Sequence, residues 1–424
     1  MLVFKFGGAS VKDAAAVKNV ADILSLYSTK KRLVIISAMG KSTNALETIA
    51  LARWNNDLSS FRYKIDELYK YHLGIIDKLF YEKHIGLLQY LEITFNSLND
   101  SFRKTLPANY DALYDDIVCI GELLSTRIVE TYLLERGFAS EWLDARNYII
   151  TDAHFRNANV HWDDTILAIT SSFSTIFKHS ECIVTQGYIA GSSSGVSTTL
   201  GREGSDYSAA IFAYALNAES VTIWKDVPGM LNADPKWFEN TIKLNQISFQ
   251  EAIELAYYGA TVIHPKTIKP LQNKQIPLYV RSFVDPELDG TIISSSTEYD
   301  DLIPSFIFKM HQIMIQVTAK DFSFIAEHNL SQIFDVIAAN GVQINMMQNS
   351  ALSFDFVYDD HELITQSLRD SLELEYHVSF LKELELVTIR HYDDETIKRV
   401  TEGKKIILNQ TSEQTARILM VHLD

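Results

Sequence analysis

Basic and acidic side chains set among glycines carry the chemistry that this sequence suggests. Lys5 leaves an apolar run, Leu2-Val3-Phe4-Lys5-Phe6, just ahead of Gly7-Gly8. A lysine there holds a phosphate as a point charge, while the glycines let backbone N–H groups come close. Alternatively it is a strand-end lysine reaching solvent. A second concentration lies at 185–210, where five of the seventeen glycines fall between Gly187 and Gly204. Within it, Arg202 is suited to fork a carboxylate. Ser205-Asp206 precede Ala209-Ala210-Ile211-Phe212-Ala213, which reads as a helix start, and a helix N-terminus behind glycines is an anion site. Asp206 is also well placed as a simple N-cap. Glu122, after Gly121, is either an ammonium acceptor or an ordinary helical surface glutamate. Lys225-Asp226 follow an apolar run and face either a nucleotide or solvent. His264-Pro265 reads as structural.

The rest of the composition narrows the classes. The net charge of −16 argues against nucleic acid or an anionic membrane as the main partner. An anionic small molecule is still admissible in a locally basic pocket. The two cysteines, Cys119 and Cys182, provide no disulfide framework. No His/Cys/Asp group has metal-ligand spacing, so no protein-held metal is expected. Any metal would be Mg²⁺, carried by nucleotide phosphates and water. Neither a Gly-x-x-x-x-Gly-Lys-Ser/Thr loop nor a Gly-x-Gly-x-x-Gly fingerprint follows the first strand. The N-terminal run lacks the pattern of a secretory leader, no apolar stretch approaches a membrane span, and a cytoplasmic protein is expected.

The elements that must hold these residues follow from periodicity. The order strand, glycine turn, helix, strand over 2–36 is a βαβ unit, and ligands of such units bind beyond the carboxyl ends of the strands. Residues of about 45–105 read as a helical insertion, and 110–136 as a helix with Gly121 at a bend. Short strands are predicted near 141–144, 182–185, 221–224 and 276–280. The fold class is α/β, a doubly wound sheet domain over 1–293. A polar linker at 294–306 leads to a βαββαβ, ferredoxin-like unit at 307–381 and a shortened second copy at 382–424.

Six motifs in order give a specific resemblance. They are Lys5-Phe6-Gly7-Gly8, Ser37-Ala38-Met39-Gly40 with Thr43-Asn44, Gly121-Glu122-Leu123-Leu124-Ser125, 198–210, Asp226-Val227-Pro228-Gly229 with Ala233-Asp234-Pro235, and Gly259-Ala260 with His264-Pro265. The chain resembles the aspartokinases, of the amino-acid kinase family, over nearly its whole length. The resemblance implies transfer of the ATP γ-phosphoryl group to the side-chain carboxylate of L-aspartate. Lys5, Gly7 and Gly8 then hold the transferring phosphoryl group, and Asp206 organises the lysines around it. Thr43 and Ser205 touch the reacting carboxylate, Arg202 clamps the α-carboxylate, and Glu122 takes the α-ammonium. Lys225, Asp226, Leu231, Asn232, Asp234, Lys236 and Thr261 fall in the nucleotide segment. The tail is similar to paired ACT domains, which implies a lysine or threonine effector near Ser323, Phe324, Ile325, Asn345 and Gln348, and a homodimer through this region.

The chain departs from the family pattern at several points. Ala9 stands where threonine is usual, Glu203 and Leu231 where glycine and tyrosine are common, Lys225 where a small residue is common, and Thr261 where a lysine often lies. Glu203 is expected to point away from the substrate, since it would otherwise weaken the Arg202 clamp. The alternatives are a glutamate or acetylglutamate kinase, or a non-catalytic amino-acid-binding subunit. The second of these predicts loss of Lys5, Arg202 or Asp206, and all three are present.

Overall fold

The computed structural model describes residues 1–260, 263–321 and 323–423. Its contacts divide the chain into two compact units. The first holds Met1–Met230, Lys243–Ile253 and Thr261–Tyr299, and the second holds Leu231–Ile242, Glu254–Ala260 and the chain from Asp300 onward.

The first unit is built on an eight-stranded sheet. Its central strands, Cys182–Gln186, Arg32–Ile36, Leu2–Phe6 and Ser220–Lys225, lie side by side and parallel. Strands buried on both faces read as near-continuous apolar runs, as in Leu33-Val34-Ile35-Ile36 and Cys182-Ile183-Val184. The register aligns Gln186, Ile36, Phe6 and Trp224 at one level. The residues that follow, Gly187, Ser37, Gly7 and Lys225, therefore leave the sheet along one carboxyl edge. Leu278–Ser282 continues the parallel set, Thr291–Ser294 pairs antiparallel with it, and Gln246–Ser248 ends the sheet on that side.

The helices bury one apolar face against this sheet. Ala14–Ser25 buries Val17, Val20, Ala21, Ile23 and Leu24, with Asp13 capping it by accepting the Ala16 N–H at 2.8 Å. The predicted insertion consists of Ser42–Trp54, Leu58–Leu79 and Ile85–Ser101, and its apolar residues join the same core. Gly121 does not bend its helix, which runs unbroken over Tyr110–Glu135. A Cβ there would lie 2.9 Å from the Ala38 Cβ, so the glycine lets the helix lie close against the 37–40 turn.

The 185–210 stretch is more ordered than a loop. Ile189–Ser192 and Ser197–Thr199 pair antiparallel. The helix begins at Gly204 rather than near Ala209, and its N-cap is Glu203, in left-handed backbone at φ 53°. Asp206 thus lies inside the first turn and is not the cap. Two helices, Trp162–Ile176 and Pro265–Asn273, were not expected.

The second unit carries a six-stranded antiparallel sheet. Helices Glu327–Ala339 and Glu362–Leu372 pack on one face over Ile313, Ile315, Val317, Phe354 and Phe356. The shortened copy has a single eight-residue helix, Asp394–Thr401, and the hairpin Lys404–Thr411/Thr415–His422. Strands Ser305–Ala319 and Tyr376–Arg390 run through both halves of the sheet. Their first and last residues, Ser305 and Arg390, pair in the same register as the hairpin's Thr415. Near its middle each strand has a left-handed residue, His311 at φ 51° and Glu383 at φ 56°. The pairing slips by a bulge between Lys309 and Gln312.

Candidate active site

The aligned strand ends deliver their loops to one cavity of about 510 Å³ in the first unit, within the usual size of a small-molecule site. Lys5, Thr43, Glu122, Arg202, Ser205, Asp206 and Lys225 all line it. Four cations and four carboxylates share the lining (Lys5, Arg156, Arg202, Lys225; Glu47, Glu122, Glu203, Asp206), so a chain of strongly negative net charge carries no such excess here.

At the sheet edge, the Lys5 ammonium is 2.7 Å from the Asp206 carboxylate, and both side chains are largely buried. The Asp206 carboxylate thus holds the lysine in place. A Cβ on Gly7 would stand 3.4 Å from the Lys5 ammonium, so the glycine keeps the space in front of that charge clear. Gly8 lies against the carbonyls of Ala38 and Gly40, each 2.8 Å from where its Cβ would be. The space before Lys5, with Lys225 in the same cavity, fits a phosphoryl group.

Glu122 is 2% exposed. Its Oε1 accepts the Ala38 N–H at 3.2 Å, while Oε2 is buried with no hydrogen-bond partner. Burial pushes the carboxyl up to about 8, and the backbone hydrogen bonds it accepts only partly oppose this. Once this carboxyl is ionised, its buried, unpartnered oxygen in the cavity lining calls for a donor, and an ammonium meets that need best. The Ser205 hydroxyl lies 2.9 Å from the Ser37 hydroxyl, which joins the start of the Gly204–Leu216 helix to the end of the Arg32–Ile36 strand.

Glu203 does not point away. It lines the same cavity as Arg202, and its backbone at the helix N-cap is left-handed. His264 lies within electrostatic reach of Glu203, Lys266 and Arg202. Burial chiefly lowers its pKa, the two cations add to that, and Glu203 opposes them. His264 also caps its helix through the Lys266 N–H, in keeping with a structural role.

Four lining residues were not anticipated, namely Glu47, Tyr114, Arg156 and Tyr188. The Tyr114 hydroxyl donates to Glu47 at 2.5 Å and lies 3.4 Å from that of Tyr188. Asp226 is exposed just beyond Lys225. Leu231, Asn232, Asp234 and Lys236 group with the second unit and do not line this cavity. There the Asn232 amide is engaged at both ends, by the Ile242 N–H at 2.7 Å and the Pro304 carbonyl at 2.9 Å. Thr261 lies outside the described residues. Among the tail residues, Ser323, Phe324 and Gln348 are exposed and Ile325 is buried. Asn345 is tied to Gln312, Asp359 and Lys309. Among the described residues no three His, Cys, Asp or Glu side chains converge as a metal site, and no helix is long and apolar enough to cross a membrane.

Close packing around the site gives a direct expectation. A Cβ on Gly187 would fall 2.5 Å from the Ser205 Cβ and 2.8 Å from its Cα. Gly187→Ala should displace the start of the Gly204–Leu216 helix, destabilise the protein by about 1–3 kcal/mol and depress turnover. Chemical denaturation alongside initial rates checks this, and unchanged values of both would show that the contact yields freely.

Comparison with known proteins accords with this geometry. Residues 1–282 match the amino acid kinase family. The lysine-sensitive aspartokinase 3 of Escherichia coli (strain K12) is 32% identical over 397 residues, covering 92% of this chain and 86% of that protein. The crystal structure of E. coli aspartokinase III in complex with lysine and aspartate matches with a TM-score of 0.81 at 28% identity, over 99% of this chain and 95% of that one. The structure of the same enzyme in complex with aspartate and ADP matches with a TM-score of 0.79, over 99% and 96%. With residues 1–282 matching the family and a third of the aligned positions identical to a lysine-sensitive aspartokinase along most of both chains, this protein belongs to the aspartokinases, within the amino acid kinase family.

Proposed function

We propose that the cavity binds L-aspartate beside the phosphates of ATP and transfers the γ-phosphoryl group to the side-chain carboxylate. The observation that carries this is the unpartnered, buried Oε2 of Glu122 in the cavity that also holds Arg202 and Lys5. One end suits an amino acid's ammonium and α-carboxylate, and the other suits a phosphoryl group. A side-chain carboxylate is already ionised at neutral pH, so its attack needs no general base. An oxygen of that carboxylate forms the bond to the γ-phosphorus, the bond from that phosphorus to the β,γ-bridging oxygen breaks, and ADP leaves with the electron pair. The protein's task is to align two anions and cancel their repulsion.

Lys5, held by Asp206, supplies fixed positive charge where negative charge gathers in the transition state. Gly7 and Gly8 keep that space open, Thr43 and Ser205 orient the reacting carboxylate, and Arg202 takes the α-carboxylate. Lys225 and Asp226 face the nucleotide. Leu231, Asp234 and Lys236 keep the nucleotide-side role that the resemblance implies, with Asn232 closing their turn. Mg²⁺ would rest on phosphate oxygens and water.

We assign the ACT-type tail an effector role, since the E. coli relative is lysine-sensitive and one of its structures holds lysine. Ser323, Phe324 and Gln348 would meet the effector, with Ile325 and Asn345 supporting them. A homodimer through this tail and a cytoplasmic location complete the reading.

Trapping the acyl phosphate with hydroxylamine tests the reaction. With ATP and Mg²⁺, L-aspartate should give the hydroxamate, while glutamate and N-acetylglutamate should give none. Product from glutamate and not from aspartate would overturn the assignment. Adding lysine or threonine to the same assay reads out the effector.

A further inference from the structure

We propose that Arg156 is the second arm of the carboxylate clamp, and that the buried Asp115 is the post to which both arms are tied. This rests on the reading of the cavity as the aspartate site. Arg202 alone is a compromised clamp, because Glu203 shares the wall with it and offers the substrate's α-carboxylate a like charge. Arg156 lines the same cavity and also the adjoining hollow of about 360 Å³.

Its backbone is held at φ 64°, a left-handed conformation that disfavours any residue bearing a Cβ. Such an outlier persists only where the surroundings fix it. Here the Arg156 N–H donates to Asp115 Oδ2 at 3.0 Å. The same carboxylate accepts the Thr199 N–H at 2.9 Å and the Thr199 hydroxyl at 2.8 Å, and its residue is fully buried. Thr199 opens the turn that carries Arg202. Its carbonyl in turn accepts the Ala158 N–H at 2.9 Å, so the two arginine-bearing loops are bound together at one point. The guanidinium of Arg156 lies 4.3 Å from the centre of the Tyr114 ring, which aims it. Its ion pair with Asp111, at 3.3 Å, is half-exposed and engages one Nη, a contact weak enough to yield to a substrate carboxylate.

The ligand chemistry is therefore an amino acid with a free α-carboxylate. The test uses the full chain, with L-aspartate and its α-amide as acceptors and the hydroxamate as readout. Arg156→Gly should raise the KM for aspartate roughly 10- to 100-fold and leave kcat and the KM for ATP within about twofold. Because glycine accepts left-handed backbone, the variant should melt no lower than the unaltered protein. The preference for aspartate over its α-amide, taken as a ratio of kcat/KM, should shrink by the same factor, and Arg156→Lys should recover part of it. An unchanged KM for aspartate, or a loss shared equally by the α-amide, would overturn the proposal. Should Arg156→Gly fail to fold, Arg156→Gln carries the same comparison. A failure of the unaltered protein to phosphorylate aspartate would overturn the reading of the cavity itself, and that result is separable because it precedes any substitution.

Discussion

Replacing Lys5 with methionine is expected to lower kcat by about 10²- to 10³-fold, the usual cost of removing one fixed charge or donor from the place where transition-state charge gathers. Methionine keeps much of the side-chain volume, so the strand should pack as before. The KM for aspartate should move little, because Arg202 and Glu122 are untouched. Stability should fall as well. Asp206 is 3% exposed and loses the ammonium 2.7 Å away, and stranding one member of a buried ion pair costs about 3–5 kcal/mol. The double variant with Asp206→Asn removes the stranded charge and should regain much of that stability while regaining no activity. Initial rates and denaturant unfolding on the four proteins of this cycle separate the two roles. If Lys5→Met kept more than about a tenth of wild-type kcat, Lys5 would not be the phosphoryl-holding charge.

Glu122 should make aspartate binding depend steeply on pH. Burial raises its pKa to about 8, above the ordinary carboxyl value, so the empty cavity holds a proton on this group at neutral pH. An ammonium binds only the ionised form and must displace that proton. The KM for aspartate should therefore fall about tenfold per pH unit as pH rises toward 8, and level off above it. The stability of the empty protein runs the other way. A carboxyl whose folded pKa exceeds its unfolded value contributes stability that is complete below about 4.5 and is lost as pH rises through 8. Glu122→Gln should abolish the pH slope, raise the KM for aspartate roughly 10- to 100-fold, and melt higher than the unaltered protein at about pH 9 but not at about pH 5. A KM for aspartate that stayed flat between neutral pH and 8 would remove Glu122 from the ammonium site.

What could be read in the sequence, and what could not, follows from how local each signal is. The central strands were legible because burial on both faces selects near-continuous apolar runs, as in Leu33-Val34-Ile35-Ile36. Lys5, Glu122, Arg202 and Asp206 stood out because each sits beside glycines, where a charged side chain is conspicuous. Trp162–Ile176 was hidden by a run of serines and threonines, and Pro265–Asn273 by Pro270 within it. Glu47, Tyr114 and Arg156 come from helix faces and a polar loop whose sequence looks like ordinary surface. Only the tertiary fold brings them to the cavity. The place of Glu203 in the cavity lining was not legible either, since it is set by the tertiary fold.

The two long strands of the tail have a genetic implication. Ser305–Ala319 and Tyr376–Arg390 each belong to both halves of the six-stranded sheet, and they change character together at His311 and Glu383, whose side chains lie 3.5 Å apart. The half formed by 305–309, 384–390 and the final hairpin is therefore written in two pieces of the gene, with the other half spelled out between them. Read this way, 311–383 is an intercalated cassette that enters and leaves the sheet at one point. Its Met346 and Val357 pack against Leu384, Leu386 and Leu419 of the other half, so it is tied to that half by a buried seam as well as at the junction.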